Sequence, residues 1–161
     1  MREDDEVDLV IDAWAGILPD VDFSPLDVMS RLRRVARTLD AERARAFRSA
    51  GLDVSEFEVL SALRQVPDGA PLTLGELVDA VRPEAAATAR RVGALAVRGL
   101  VSRFRPSGST RLLIRLTATG AATADRAMRA LVDAEAAMLE GVPARERAAL
   151  IEGLRTLGER S

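Results

Sequence analysis

Residues 98–120, RGLVSRFRPSGSTRLLIRLTATG, decide the fold. On either side of this stretch apolar residues recur every three or four positions, the spacing of helices that bury one face. Inside it that period is lost. Val101–Arg105 and Arg111–Leu116 are rich in branched and aromatic residues and predict two strands, and Pro106-Ser107-Gly108-Ser109 between them reads as a tight hairpin loop. Gly99 is placed to end the helix before the hairpin, because glycine adopts the left-handed conformation that a helix C-terminus often needs.

Outward from the hairpin, every segment reads as helix. On its N-terminal side a helix runs from Glu84 to about Arg98, after a break at Arg82-Pro83. Thr73 caps a short helix, Leu74–Val81, with Glu76 at the reciprocal position three residues on. Ser55 and Glu58 stand at the same spacing and predict the start of another short helix through Val59, Leu60 and Leu63 to the turn Pro67-Asp68-Gly69. Ser24, followed by Pro25, is read as the N-cap of a long helix with the stripe Val28, Leu32, Val35, Leu39, Arg43 and Phe47, stopping before Gly51. A first helix carries Val7, Val10, Ile11, Trp14 and Leu18 and ends near Pro19. On the C-terminal side, an Ala-rich helix follows Thr117 and Gly120 to Gly141, and Pro143 opens a last helix with Leu150, Leu154 and Leu157. Three short helices, a hairpin and long flanking helices describe a mainly α chain with a small β-hairpin: a winged helix-turn-helix with N- and C-terminal helical dimerisation arms. The expected divisions are 1–50 for the N-terminal dimerisation helices, 51–118 for the winged unit and 119–161 for the C-terminal dimerisation helices.

Composition narrows the chemistry. The 161 residues are 48% apolar and 30% charged, the balance of a globular protein. An acidic start, MREDDEVD, is unlike a signal peptide, and no apolar run is long enough to span a membrane, so the expected location is the cytoplasm. There is no Cys, His, Tyr or Lys, and all 23 basic residues are Arg. Thiolate, imidazole, phenol and Schiff-base chemistry are excluded, as are zinc and haem sites built on Cys or His. No catalytic residue, metal or cofactor is expected, and the chain is not read as an enzyme. The net charge of −2 hides segregation. Residues 1–27 hold one Arg and nine acids, a balance of −8; residues 82–115 hold eight Arg and only Glu84 as an acid, a balance of +7; residues 31–48 hold seven Arg against Asp40 and Glu42, a balance of +5. A charge run is often only a solvated face, but a basic stretch over a helix and a hairpin also suits a polyanion.

Four stretches carry a family resemblance: Gly51-Leu52 with Phe57-Glu58-Val59-Leu60-Ser61-Ala62-Leu63, then Leu72-Thr73-Leu74-Gly75-Glu76-Leu77, then Arg98-Gly99-Leu100-Val101, then Ile114-Arg115-Leu116-Thr117-Ala118-Thr119-Gly120. In this order and spacing the chain resembles the multiple-antibiotic-resistance regulator (MarR) family of bacterial transcription factors, over residues 28–157. The N-terminal helix with Trp14, and the segment Phe23–Val28, look like a branch of that family that senses urate or related organic anions. The resemblance implies a homodimer that places the second helix of the motif in the major groove of double-stranded DNA and the wing beside the phosphates. It also implies control by a small organic anion in a cleft between arms and winged unit, and the expected role is that of a repressor.

Carried onto this sequence, the DNA-binding set is Arg90, Arg91, Ala86 and Ala87 on the helix, with Arg105, Ser107, Ser109 and Arg111 on the wing. At 100° per residue Ala85, Thr88, Ala89, Val92, Leu95, Ala96 and Gly99 face inward, Ala87, Arg90 and Ala94 face outward, and Ala86 and Arg91 lie on the flanks. Arg can grip guanine or clamp a phosphate, and an alanine methyl can touch a thymine methyl. Solvation of an exposed helix face is the other reading of Arg90 and Arg91. The family usually carries an acid at the wing tip, which is missing here, and Glu84 adds negative charge at the start of the helix. The ligand set is Trp14, Arg34, Arg37 and Glu58: an aromatic plate, two guanidinium forks and an acid at the position where the urate-sensing branch has Asp. Trp14 is also read as a dimer-core residue. The alternative function is a protein of the same fold with weakened DNA binding, recruited to bind or transform a metabolite with Glu58, Asp40 or Glu42 as acid or base and Arg34 or Arg37 as anion holders.

Overall fold

The structure, a computed structural model, describes residues 6–81 and 85–159. The expected break at Arg82-Pro83 and the Glu84 helix start lie outside the described residues. Helices α1 (Glu6–Ile17) and α2 (Ser24–Ser49) lead into α3 (Val54–Arg64), a single 3-10 turn (Pro67–Gly69), strand β1 (Leu72–Thr73), α4 (Leu74–Val81) and α5 (Ala85–Val97). Strands β2 (Val101–Phe104) and β3 (Leu113–Leu116) follow, then α6 (Ala118–Met138) and α7 (Ala144–Gly158). The chain is mainly helical with a small antiparallel sheet, the winged helix-turn-helix architecture.

Three local expectations need correction. Ser24 is not the cap of α2 but its first residue; Phe23 stands at the N-cap without a side-chain cap bond, and the Asp22 carboxylate before it accepts from the Ser24 N–H and Oγ, both at 2.9 Å. The capping box of α3 sits two residues earlier than Ser55 and Glu58: Asp53 accepts from the Glu56 N–H at 2.7 Å, and Glu56 Oε2 accepts from the Asp53 N–H at 3.0 Å. The sheet has three strands rather than two, in the order β1-β3-β2, with Leu72 opposite Ile114 and Phe104 opposite Leu113. The hairpin ladder stops at the Phe104–Leu113 pair. Arg105 and Arg111 therefore belong to an eight-residue loop, 105–112, because Pro106 has no N–H to continue the ladder.

One continuous core holds the winged unit and the roots of both arms. Phe47 of α2 stacks on Phe57 of α3 with ring centroids 4.1 Å apart, and Leu60, Leu77, Leu95, Ile114 and Leu131 complete it. Thr117 joins hairpin to arm: its Oγ1 donates to the Gly99 carbonyl at 2.7 Å and accepts from the Gly120 N–H at 2.9 Å, capping α6. Beyond the core the arms are bare. Neither α1 nor α7 buries a residue completely, and Ile17, Val28, Val35, Leu150 and Leu154 are all exposed.

Candidate functional site

Two regions carry the residues singled out in the sequence. The first is α5 with the hairpin loop. Thr88, Val92 and Leu95 are buried and fix the inward face of α5. Ala86, Arg90, Ala94 and Val97 point the other way and are exposed, Val97 to 89%. The helical wheel misplaces four residues relative to the structure: Ala87, read as outward, is half-buried, and Ala85, Ala89 and Gly99, read as inward, are exposed. The side of α5 that bears Ala87, Arg91 and Arg98 turns toward the start of α3. There Arg98 Nη1 donates to Glu56 Oε1 at 2.8 Å and Nη2 to the Gly51 carbonyl at 2.5 Å. Burial pushes the Asp53 carboxyl up, but hydrogen bonds from Glu56 and Ser55, helped by the Arg91 charge, hold it below its ordinary value. Arg91 is thus half-buried beside resident acids, and Arg90 is the charged side chain at the centre of the outward face.

In the hairpin loop Arg105, Ser107 and Arg111 are exposed and Ser109 is half-buried. Ser109 shapes the loop: its N–H donates to the Pro106 carbonyl at 3.0 Å, and its Oγ accepts from the Arg111 N–H at 3.1 Å. Hydrogen bonds from Thr73 hold the Glu76 carboxyl below its ordinary value, with the Arg111 charge adding to them. Sequence reasoning missed Arg115 of β3, exposed and 5.3 Å over the Phe104 ring; its place in the +7 stretch was the available signal.

The second region is a cavity of about 270 Å³ between α1 and α2. Val7, Val10, Ile11 and Leu26 form its apolar wall, and Arg33, Arg34 and Arg37 bring three guanidinium groups to it, with Glu6 and Ser30 at its edge. Arg31 pins the two helices beside it, pairing with Asp8 at 2.5 Å and Asp27 at 2.6 Å. The four ligand residues expected from sequence are not brought together. Arg34 and Arg37 line this cavity; Trp14, 46% exposed, and Glu58, exposed on α3, do not. Arg33 was missed, although its spacing with Ser30, Arg34 and Arg37 puts it on the same helical face. A second cavity, about 210 Å³, lies between α3 and α6, lined by Phe57, Ser61, Gln65 and Met128 with the Arg64–Asp125 ion pair at 2.9 Å. That pairing lowers the Asp125 pKa and raises that of Arg64. Among the described residues no group of acids is placed to hold a metal ion, and no helix is long and apolar enough to cross a membrane.

No family model matches the chain. The HTH-type transcriptional regulator PecS of Dickeya dadantii is 29% identical over 133 residues, 81% of this chain and 79% of PecS. Among solved structures, BpsR of Bordetella bronchiseptica, whose DNA binding is regulated by 6-hydroxynicotinic acid, is 23% identical, with a TM-score of 0.63 over 81% of this chain and 92% of its own. A MarR family protein of Mycobacterium tuberculosis is 31% identical and superposes with a TM-score of 0.66 over 86% of this chain and 97% of its own. With that identity over nearly the whole of a relative, and with the three short helices, sheet and flanking arms in the same order, the chain belongs to the MarR family of transcriptional regulators.

Proposed function

We propose that the chain works as a homodimeric repressor whose hold on double-stranded DNA is set by a small organic anion. Residues 51–118 of each copy face the DNA, while residues 1–50 and 119–161 hold the two copies together. The observation that carries this reading is the placement of the +7 stretch. Its described part, residues 85–115, folds into α5 and the hairpin, where Arg90, Arg103, Arg105, Arg111 and Arg115 are exposed, while α1, from the acidic N-terminal stretch, packs against α2. Arg90, with Ala86 and its exposed neighbours, faces the bases; Arg105, Ser107 and Arg111, with Ser109 setting the loop, face the phosphates. Ala87 and Arg91 contribute from the flank.

Dimerisation follows from the bare arms. A 15-residue helix is marginal by itself in water, and no residue of α7 is fully buried within its own chain. Monomeric proteins rarely expose contiguous apolar surface on this scale. The anion fits the α1–α2 cavity, where three Arg forks meet an apolar wall in a volume suited to a single-ring acid. BpsR offers a parallel, its regulator being an aromatic carboxylic acid. Helix α1 keeps the chain close in design to the urate-sensing branch, so urate belongs in the panel of anions to be tried. Trp14 serves as the reporter beside the cavity or in the dimer core.

The test combines three measurements. Light scattering should give twice 17.3 kDa. The purified protein should retard its own upstream DNA at low salt, and one of a panel of aromatic acids should change that retardation and raise the melting temperature, an effect that Arg33→Ala and Arg37→Ala remove. A stable monomer, or no retardation at low salt, overturns the reading. One observation favours the metabolite-binding alternative: Arg90 is the single charged group at the centre of the outward face of α5. Asp40, Glu42 and Glu58 line neither cavity, so that alternative is one of binding rather than catalysis. An anion that raises the melting temperature of a protein unable to retard DNA would establish it.

A further inference from the structure

The outward face of α5 is unusual in what it lacks. Ala86, Ala89, Arg90, Ala94 and Val97 are exposed there, with Gly93 half-buried among them, so among the described residues of this face Arg90 alone has a side chain that can form a hydrogen bond, and Arg91 lies on the flank. Apart from Arg90, such a face can tell bases apart in one way only. In the major groove the single apolar group on any base edge is the C5-methyl of thymine, and every other edge presents donors and acceptors that an alanine cannot read.

Gly93 adds a second, independent observation. Glycine in the middle of a helix costs stability, and a Cβ built there would meet nothing of its own chain within 4 Å. Its absence leaves the α5 backbone open to close approach by a partner. The charge around the face selects the partner: the stretch from 82 to 115 carries +7, which favours a polyanion over an apolar protein surface.

We infer that α5 reads thymine methyls with Ala86, Ala89 and Ala94, against the groove edge that Gly93 lets the helix approach, and reads one guanine with Arg90. This rests on the DNA-binding reading above. Ala86 to Ala94 spans about 12 Å along the helix, or about four base pairs of groove. The site in each half of the duplex is therefore a single G·C pair set among T·A pairs.

The experiment uses the full-length protein. Duplexes are selected from a random pool, and the best is remade with deoxyuridine in place of thymidine at each enriched position, which removes the methyl and leaves base pairing intact. The selected half-sites should hold one guanine flanked by thymines. Each methyl removed should weaken binding about fourfold, the ratio corresponding to about 0.8 kcal/mol of apolar burial. In Ala86→Gly or Ala89→Gly, with folding checked by circular dichroism, the penalty at one thymine should disappear. Full-strength binding to the deoxyuridine duplex overturns the thymine inference while DNA binding stands. Failure to enrich or retain any duplex at low salt overturns the DNA-binding reading itself.

Discussion

A methyl group added at Gly120 would lie 1.8 Å from the Leu100 carbonyl oxygen and 3.0 Å from Leu116 Cδ2, so the junction between hairpin and α6 closes only around a hydrogen. The Leu100 oxygen cannot retreat cheaply, because it accepts from the Thr117 N–H at 3.2 Å and from Thr117 Oγ1 at 3.2 Å. Gly120→Ala should therefore destabilise the fold by about 3 kcal/mol, read as a lowered urea midpoint; a change below about 0.5 kcal/mol would contradict the packing described. Titration at single residues gives a second expectation. Hydrogen bonds and ion pairs lower the pKa of Asp22, Asp53, Glu76 and Asp125 in the folded chain. The unfolded chain then binds more protons in acid, so their stabilisation is present above the unfolded carboxylate values and is lost as pH falls through the folded ones. With no His, Cys, Tyr or Lys side chain to titrate, the melting temperature should stay level from about pH 6 to 9 and fall below about pH 4. A drop between pH 7 and 6 would contradict it.

At the scale of elements, Arg98 and Glu56 set the pose of α5. Glu56 closes the α3 capping box with one carboxylate oxygen and holds Arg98 with the other, while Arg98 also reaches the Gly51 carbonyl where α2 ends. Three helix ends meet at one ion pair. Arg98→Ala should cost about 1 to 2 kcal/mol of stability and weaken binding to all duplexes alike, since it moves α5 without altering its outward face. Unchanged binding would mean that α5 is posed by its core contacts alone. Gly93→Ala should do the reverse, raising stability by about 0.5 to 1 kcal/mol through helix propensity while lowering DNA affinity; a gain in both would remove the close approach of α5. Features written in a few adjacent residues were legible in the sequence: the Thr73–Glu76 cap and Gly99 in the left-handed region, whereas the role of Thr117 as the cap of α6 was not read. Strand β1 was not, because two residues carry no period and their partner, β3, lies some forty positions away. Asp53 and Ser55 both stand three residues before a Glu, and the choice between them depends on where the chain leaves the turn at Gly51. The helical wheel misplaced Ala85, Ala87 and Ala89 because period alone does not say which flank of α5 is covered by α3, and Gly99 because α5 has ended before it.

For the whole molecule, a single core joins the winged unit to the arms. Phe47 and Leu131 belong to the arms yet are buried with Leu60, Leu95 and Ile114 of the winged unit, so a change at α2 reaches α5 through packed side chains. The arms were legible as amphipathic helices; the α1–α2 cavity was not, since it forms where α1 crosses α2 and no local spacing records that crossing. If α5 reads bases while the hairpin loop grips phosphate, the two roles separate in the binding of wild type, Arg90→Ala and Arg111→Ala to a selected and a random duplex across a salt series. Arg90→Ala should lose about 1 to 3 kcal/mol on the selected duplex and little on the random one. Arg111→Ala should weaken both alike and lower the salt slope by about one unit, because a phosphate contact releases counterions and carries no base information. Equal losses for both variants on both duplexes would contradict base reading by α5, and no binding by wild type at low salt would contradict both roles.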